Sequence, residues 1–447
     1  MKKLLFLMLF IKGSFLIAQQ NDTIVYKKRV LETVEVDFLL SYYKQDGIHS
    51  SVSGGTGSEN LTDLASNIIV SIPMNANAIL TIDVGISAYT SASSSNINPF
   101  DKANTNPWQA SSGASQSDQL TSFVANYSRS SENRNLVWNA DVSFSNEYDY
   151  TSIGFGGGVA QLFNNKNTEI SIKTNVYLDQ WRPIYPRELL DFNLYRFSFN
   201  VIDENGVATT NFNPTAFIPW TSTNRNSYAA SFGFSQVATK NLQFSLFFDV
   251  INQQGMLSSP YHRVYFADKP DYYVGQAQYI SVYETTQNQG VYKLADAIER
   301  LPNSRTKIPF GARINYYVNE RLTIRTYYRY YLDNWDITSH TASIELPIKV
   351  SDNFTVFPMY RYYTQQQSTY FAPFEKHLST ALYYTSDYDL STFNAHQYGF
   401  GVNYVDIFTQ FHLWKFGLKN IDFRFNHYDR SDGLKANVGS IAFKFAL

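Results

Sequence analysis

The residues of this chain best suited to move protons or hold a metal near neutral pH are its seven histidines. His49, His262 and His377 fall in long irregular segments. His340 and His396 open patterned ones, His427 lies in an apolar phase, and His412 sits in a connection. None has a partner at the spacing of a local metal motif, and no Gly-x-Ser-x-Gly elbow occurs. There is no cysteine, so thiol catalysis, disulfides and a lipidated cysteine are all excluded. The run Ser53-Gly-Gly-Thr-Gly57 resembles a phosphate cradle but lacks the following lysine and the strand-to-helix context, so it reads as turn chemistry. These residues call for no metal and no cofactor. A site assembled from distant segments stays open, because pairing across strands leaves no mark on spacing.

A second set of chemical residues repeats at every other position. Glu35, Asp37, Asp83 and Asp141 occur early; Arg313, Arg325, Arg329, Arg361 and Arg424 occur late, beside Glu345 and Asp422. Each alternates with an apolar set. In Arg321–Asp333 one phase holds Leu322, Ile324, Thr326, Tyr328, Tyr330 and Leu332, and the other holds Thr323, Arg325, Tyr327, Arg329, Tyr331 and Asp333. A strand sends successive side chains to opposite faces, so this pattern sets an apolar face against a charged one, which a helix would mix.

About sixteen such segments (14–18) follow one another. They begin near Thr33, Leu64, Ala78, Gln119, Asn135, Thr151, Thr168, Asn224, Asn241, Thr306, Arg321, Ile337, Phe354, Ala395, Ile421 and Ala436. Links at one end are tight, as in Pro73–Asn77 and Asn319-Glu320. Several at the other end are long: Lys44–Asp63, Thr90–Asp118, Gln180–Thr223, Gln254–Arg305 and Gln366–Asn394. The expected fold is therefore all-β, an antiparallel transmembrane up-and-down barrel with large extracellular loops. In a closed barrel the early acids and late arginines should face each other across the lumen. Opposed walls of that kind orient small polar solutes; a salt-bridged plug that conducts nothing is the alternative.

The weak points of the count are the short outer link Asp333–Asp336 and the long inner link Asp406–Lys419. The latter could hold an interfacial helix carrying Phe408, Phe411 and Trp414. Within the longest loop, Leu294, Ala297, Ile298 and Leu301 have helical spacing before Pro302, which predicts a small helix in the mouth over Val291–Leu301. Tyrosines near the strand ends suit aromatic girdles.

Composition agrees with this reading. Charged residues make up 17% and aromatic residues 17%, with mean hydropathy −0.29, which suits neither disorder nor a bundle of membrane helices. Residues 1–18 read as a secretory leader, with Lys2 and Lys3 before an apolar run and Ala18 offering a cleavage position. Residues 19–32 follow as a periplasmic segment and 33–447 as the barrel. Loss of the leader takes the net charge from −2 to −5, and with no basic tract nucleic acid is not expected as a partner. The last strand, with Ile441, Phe443, Phe445 and Leu447 in one phase, has the pattern read by outer-membrane assembly machinery.

Val34–Tyr43, Leu61–Leu64, Ile86–Pro99, Tyr261–Phe266, Arg325–Tyr331 and Tyr384–Asp389 resemble an uncharacterised outer-membrane barrel family of Bacteroidota, a domain of unknown function. The resemblance implies a Gram-negative outer membrane, lipids as neighbours and a small lipoprotein or periplasmic partner, with a link to envelope redox chemistry or protein export. It supplies no reaction. Three functions remain: a transport or export pore whose loops restrict access and bind partners; an outer-membrane enzyme with a loop-borne site at His49, His262 or His377; and a closed surface-interaction barrel. The loop residues expected to make contacts are His49, Tyr261, His262, Arg263, Tyr370, Phe371 and His377.

Overall fold

The structure is a computed structural model describing residues 29–90, 117–186, 188–189, 201–214, 218–220, 223–282 and 291–447. The expected leader, all of the 19–32 segment before residue 29, and most of the Thr90–Asp118 loop lie outside these residues.

Sixteen long strands form one antiparallel barrel. They are β1 (Glu35–Asp46), β2 (Leu61–Pro73), β3 (Ala78–Thr90), β4 (Ser117–Ser130), β5 (Leu136–Asn146), β6 (Tyr150–Phe163), β7 (Thr168–Trp181) and β8 (Asn224–Val237). There follow β9 (Leu242–Gly255), β10 (Ser304–Asn319), β11 (Leu322–Asp333), β12 (Thr338–Glu345), β13 (Phe354–Gln365), β14 (Phe393–Val405), β15 (Phe416–Arg430) and β16 (Lys435–Ala446). Each pairs with its sequence neighbour, and β16 returns to pair with β1 from Glu35↔Ala446 to Asp46↔Lys435. Closure matters because an open edge would leave N–H and C=O groups unpaired in hydrocarbon.

Alternation becomes geometry directly. Val84 and Ile86 of β3 stay 45% and 46% exposed on the outer wall. Asp83, one residue before Val84, turns inward, where its Oδ1 accepts from Asn67 Nδ2 at 3.1 Å. Tyrosine–histidine pairs decorate the exposed wall near the outer rim: Tyr328 Oη lies 2.8 Å from His340 Nδ1, and Tyr360 Oη 2.9 Å from His396 Nδ1. Groups with an apolar body and a polar tip suit that depth.

Both doubtful links are turns. At the outer one, Asp333 Oδ1 accepts from Trp335 N (2.9 Å) and Ile337 N (3.1 Å), with Asp336 at φ +65°. The inner link is a hairpin, not the expected helix: His412 pairs with Gly417 and Leu413 with Phe416. Thr409 and Trp414 take positive φ, which a helix does not allow, and Asp406 Oδ2 holds Phe411 N at 3.0 Å. Phe408 and Trp414 end up 80% and 90% exposed.

The lumen charges are arranged more locally than expected. With sixteen strands, β3 and β5, which carry Asp83 and Asp141, stand half a turn from β11 and β13, which carry Arg325, Arg329 and Arg361. Glu35 and Asp37 do not, because ring closure sets them beside β16. Lys444 Nζ lies 2.7 Å from Glu35 and 3.8 Å from Asp37. The later wall carries its own acids: Glu345 bridges Arg325 (3.0 Å) and Arg424 (2.8 Å), and Arg424 also meets Asp422 (2.9 Å). Arg313 sits against Phe247 and Tyr327, whose rings stack. Among the described residues no carboxylate lies within 4.0 Å of Arg313, Arg329 or Arg361. Arg325 remains 49% exposed inside the barrel, as in a wet lower lumen.

Candidate functional site

The long outer links fold together over the mouth. Val201–Asp203, Ala208–Thr209, Tyr272–Gly275 and Val291–Lys293 form a four-stranded sheet, and Arg263–Val264 pairs with Ala297–Ile298. The helix expected over Val291–Leu301 is therefore two strands joined by a bend. The spacing misled because nearly all of that segment is buried, including Lys293 and Glu299, so its apolar residues mark no single face. Val201, Phe212, Tyr292 and Leu294 make one small core; Val264, Phe266, Ala297 and Tyr384 make another.

Charged residues tie these loops together. Arg263, 1% exposed, donates from Nε to Glu188 Oε1 at 2.5 Å and from Nη2 to Glu188 Oε2 at 3.2 Å. Its Nη1 donates to Val52 O at 3.2 Å, so one guanidinium joins three loops. A planar fork fits this task; a lysine would not. Lys293 pairs with Asp271 (2.8 Å) and Glu375, beneath the rings of Tyr265 and Phe374. Gly54 packs against the same plug at φ +79°, where an added Cβ would lie 2.7 Å from the Tyr265 ring. The glycine run is turn chemistry that permits close packing.

Of the loop residues singled out above, Arg263, Phe371 and His377 are buried in this plug, while His49, Tyr261, His262 and Tyr370 are half-buried. His49 stacks on Tyr388 with ring centroids 3.7 Å apart. Phe371 meets Tyr388, Tyr370 packs edge-on to Trp335, and His377 Nε2 lies 2.8 Å from Thr385 O, where burial lowers its pKa. Tyr261 packs edge-on against Trp181.

Among the described residues, two cavities between plug and wall carry the most acidic side chains. The larger, about 720 Å³, runs along the outer ends of β5, β6 and β7. It is lined by Asp118, Glu147, Asp149 and Asp179, by Tyr89, Tyr150, Trp181 and Tyr261, and by a single arginine, Arg225. Burial raises the pKa values of Glu147 and Asp149. Asp179 is 7% exposed and its Oδ1 has no hydrogen-bond partner. The smaller cavity, about 390 Å³, lies between β1, β15 and the plug and holds Ser50, Ser51, Glu59, His262, Asp387, Asp389 and Arg430. Glu59 is pushed up to about 7, first by burial and then by the charge of Asp389.

Around His262 the loops meet most tightly. Ser51 Oγ lies 3.1 Å from Nε2; Glu299 Oε2 and Asp387 Oδ2 lie 3.4 and 4.0 Å from Nδ1. Burial alone would lower the pKa of the imidazole, but Glu299 and Asp387 raise it above its ordinary value. Ser51, Glu299 and Asp387 were missed from sequence because they are distant in the chain. The signal available was that Tyr261–Phe266 and Tyr384–Asp389 are loop segments rich in polar and aromatic residues, and that the glycine run allows close packing beside them.

The family described as "Protein of unknown function (DUF3570)" matches residues 8–441. Comparison with curated proteins finds no match. Similar solved structures include a bacterial polysaccharide outer membrane secretin, 10% identical, with TM-score 0.41, covering 92% of this chain and 98% of that one. Another is the TodX monoaromatic hydrocarbon channel deltaS2 mutant, 8% identical, with TM-score 0.38, covering 93% and 90%. A third is a BenF-like porin from Pseudomonas fluorescens Pf-5, 8% identical, with TM-score 0.37, covering 93% and 100%.

Proposed function

The chain belongs to that DUF3570 family, and from this premise we propose that it is a plugged pore of a Gram-negative outer membrane, passing small polar solutes around a folded plug. The observation that carries this reading is the crevice of about 720 Å³ left between plug and wall above a wet lower lumen. A barrel closed for surface interaction alone would gain by packing that space. Four acids against one arginine make the crevice prefer cations. Unpaired Arg329 and Arg361 on the far wall give a transverse field that orients a dipolar solute as it passes.

The exposed apolar wall makes lipids its permanent neighbours. The inner hairpin with Phe408 and Trp414 offers the place for a small lipoprotein or other periplasmic partner.

Ion selectivity in planar bilayers tests the reading. In a potassium chloride gradient the wild type should pass current with a cation-preferring reversal potential, and Glu147→Gln with Asp149→Asn should move that potential severalfold toward zero. Absence of current, or an anion preference, would contradict it.

A further inference from the structure

We infer that His262, Glu299 and Asp387 form a binding site for one divalent transition-metal cation of the zinc type, in the outer mouth and separate from the passage proposed above. The three donor atoms lie within 4.8 Å of one another. The separation of His262 Nδ1 from Glu299 Oε2, 3.4 Å, matches the edge of a tetrahedron with bonds of about 2.0–2.1 Å. Asp387 Oδ2, at 4.0 Å, must come about 0.6 Å nearer the imidazole to reach the same edge length.

The surrounding groups hold each donor in a metal-ready pose. Glu299 is 3% exposed; its Oε1 accepts from Ser259 N (2.7 Å) and its Oε2 from Thr385 Oγ1 (2.5 Å). Asp387 Oδ1 accepts from Asp389 N (3.0 Å), which leaves Oδ2 turned to the histidine. Ser51 Oγ, 3.1 Å from Nε2, can accept the ring N–H there, so a metal on Nδ1 would replace the proton that faces Glu299. Partners of this kind are what orient metal-bound imidazoles and carboxylates.

Charge argues in the same direction. Among the described residues, neither Glu299 nor Asp387 has any cationic partner within 4.0 Å except His262. Arg430, the nearby arginine, is committed to Asp389 (2.6 Å) and Asp432 (2.5 Å). A second observation points to a further ligand. Ser50, 1% exposed, lines the same 390 Å³ cavity, and its Oγ has no hydrogen-bond partner. One nitrogen with two carboxylates selects zinc, cobalt or manganese over calcium and magnesium, which prefer all-oxygen cages. Metal binding would join the loop carrying His262 and Glu299 to the one carrying Asp387.

The test is titration of the full-length, EDTA-treated protein with Zn²⁺ by calorimetry, and with Co²⁺ by visible absorption. The expected result is one equivalent of Zn²⁺, a Co²⁺ d–d band, at least tenfold weaker binding in Asp387→Asn and Glu299→Gln, and none in His262→Ala. His49→Ala and His377→Ala should bind as the wild type does. Asp387 is partly exposed, so its variant tests the site even if His262→Ala loosens the plug. Failure of folded wild type to bind, or wild-type affinity in both Asp387→Asn and His262→Ala, would overturn the assignment. So would labelling of Ser51 by a fluorophosphonate without metal binding, since Ser51, His262 and Glu299 would then be a nucleophile, its base and the base's orienter.

Discussion

The barrel wall and the plug are built on opposite rules. The wall separates apolar from polar at every step and needs only local pairing: β3 sends Val84 to lipid and Asp83 to water one residue later. The plug mixes them. Arg263, Glu188, Lys293 and Glu299 are as buried as Val264 and Ala297, and its stability depends on charges that meet across loops. The wall should therefore tolerate polar changes on one face and the plug almost none, while a plug lesion should leave the wall standing.

The largest effect tests that separation. Removing one partner of a fully buried ion pair typically costs about 3–5 kcal/mol, because the other charge stays uncompensated. Arg263→Ala and Glu188→Ala should each loosen the plug by that order, seen as faster hydrogen exchange over 256–282 and 291–303. The barrel's heat-modifiable gel migration should not change. If exchange accelerates equally along β3 and β10, plug and wall are one cooperative unit and the contrast fails.

Next in size is the wall itself. Val84→Arg, at mid-strand on the lipid face, should destabilise the barrel by about 2–4 kcal/mol in urea unfolding from vesicles. Asp83→Asn, one residue away in the lumen, should cost less than about 1 kcal/mol, in the range of a typical hydrogen bond. Equal costs would mean that the alternation does not set lipid against water.

How much of this was legible in sequence follows from the same contrast. The period of two exposes wall residues, so all sixteen strands were readable; Ala78, Thr168, Asn224 and Phe354 even begin where expected. Register across ring closure was not: nothing near Glu35 signals that Lys444 will lie beside it. The plug was opaque. Burial on every side erased the periodicity of Val291–Leu301, and the contacts of His262 come from residues 211 and 37 positions away, Ser51 and Glu299. Loop histidines could be named, but not their partners.

The last expected effect concerns pH. Asp296 is half-buried in the plug, where its Oδ2 accepts from Phe266 N, and desolvation pushes its pKa up to about 6. The folded plug thus holds this proton more tightly than the unfolded chain, whose carboxyl titrates near the ordinary value of about 4. Stability should be greatest below about pH 4 for this group and should fall as pH rises to about 6, by roughly 1–3 kcal/mol. Exchange of plug amides should quicken from pH 5 to 8 after correction for intrinsic rates, and Asp296→Asn should flatten the trend. Slower corrected exchange at higher pH would reverse the sign of this account.

The central claim is that a separately folded plug limits passage through an intact barrel. Single-channel conductance of wild type and Arg263→Ala, recorded in the same bilayer system, tests it most directly. The account predicts small events in the wild type and severalfold larger ones in Arg263→Ala, with gel migration unchanged. Identical conductance in the two proteins, or no events in either, would contradict it.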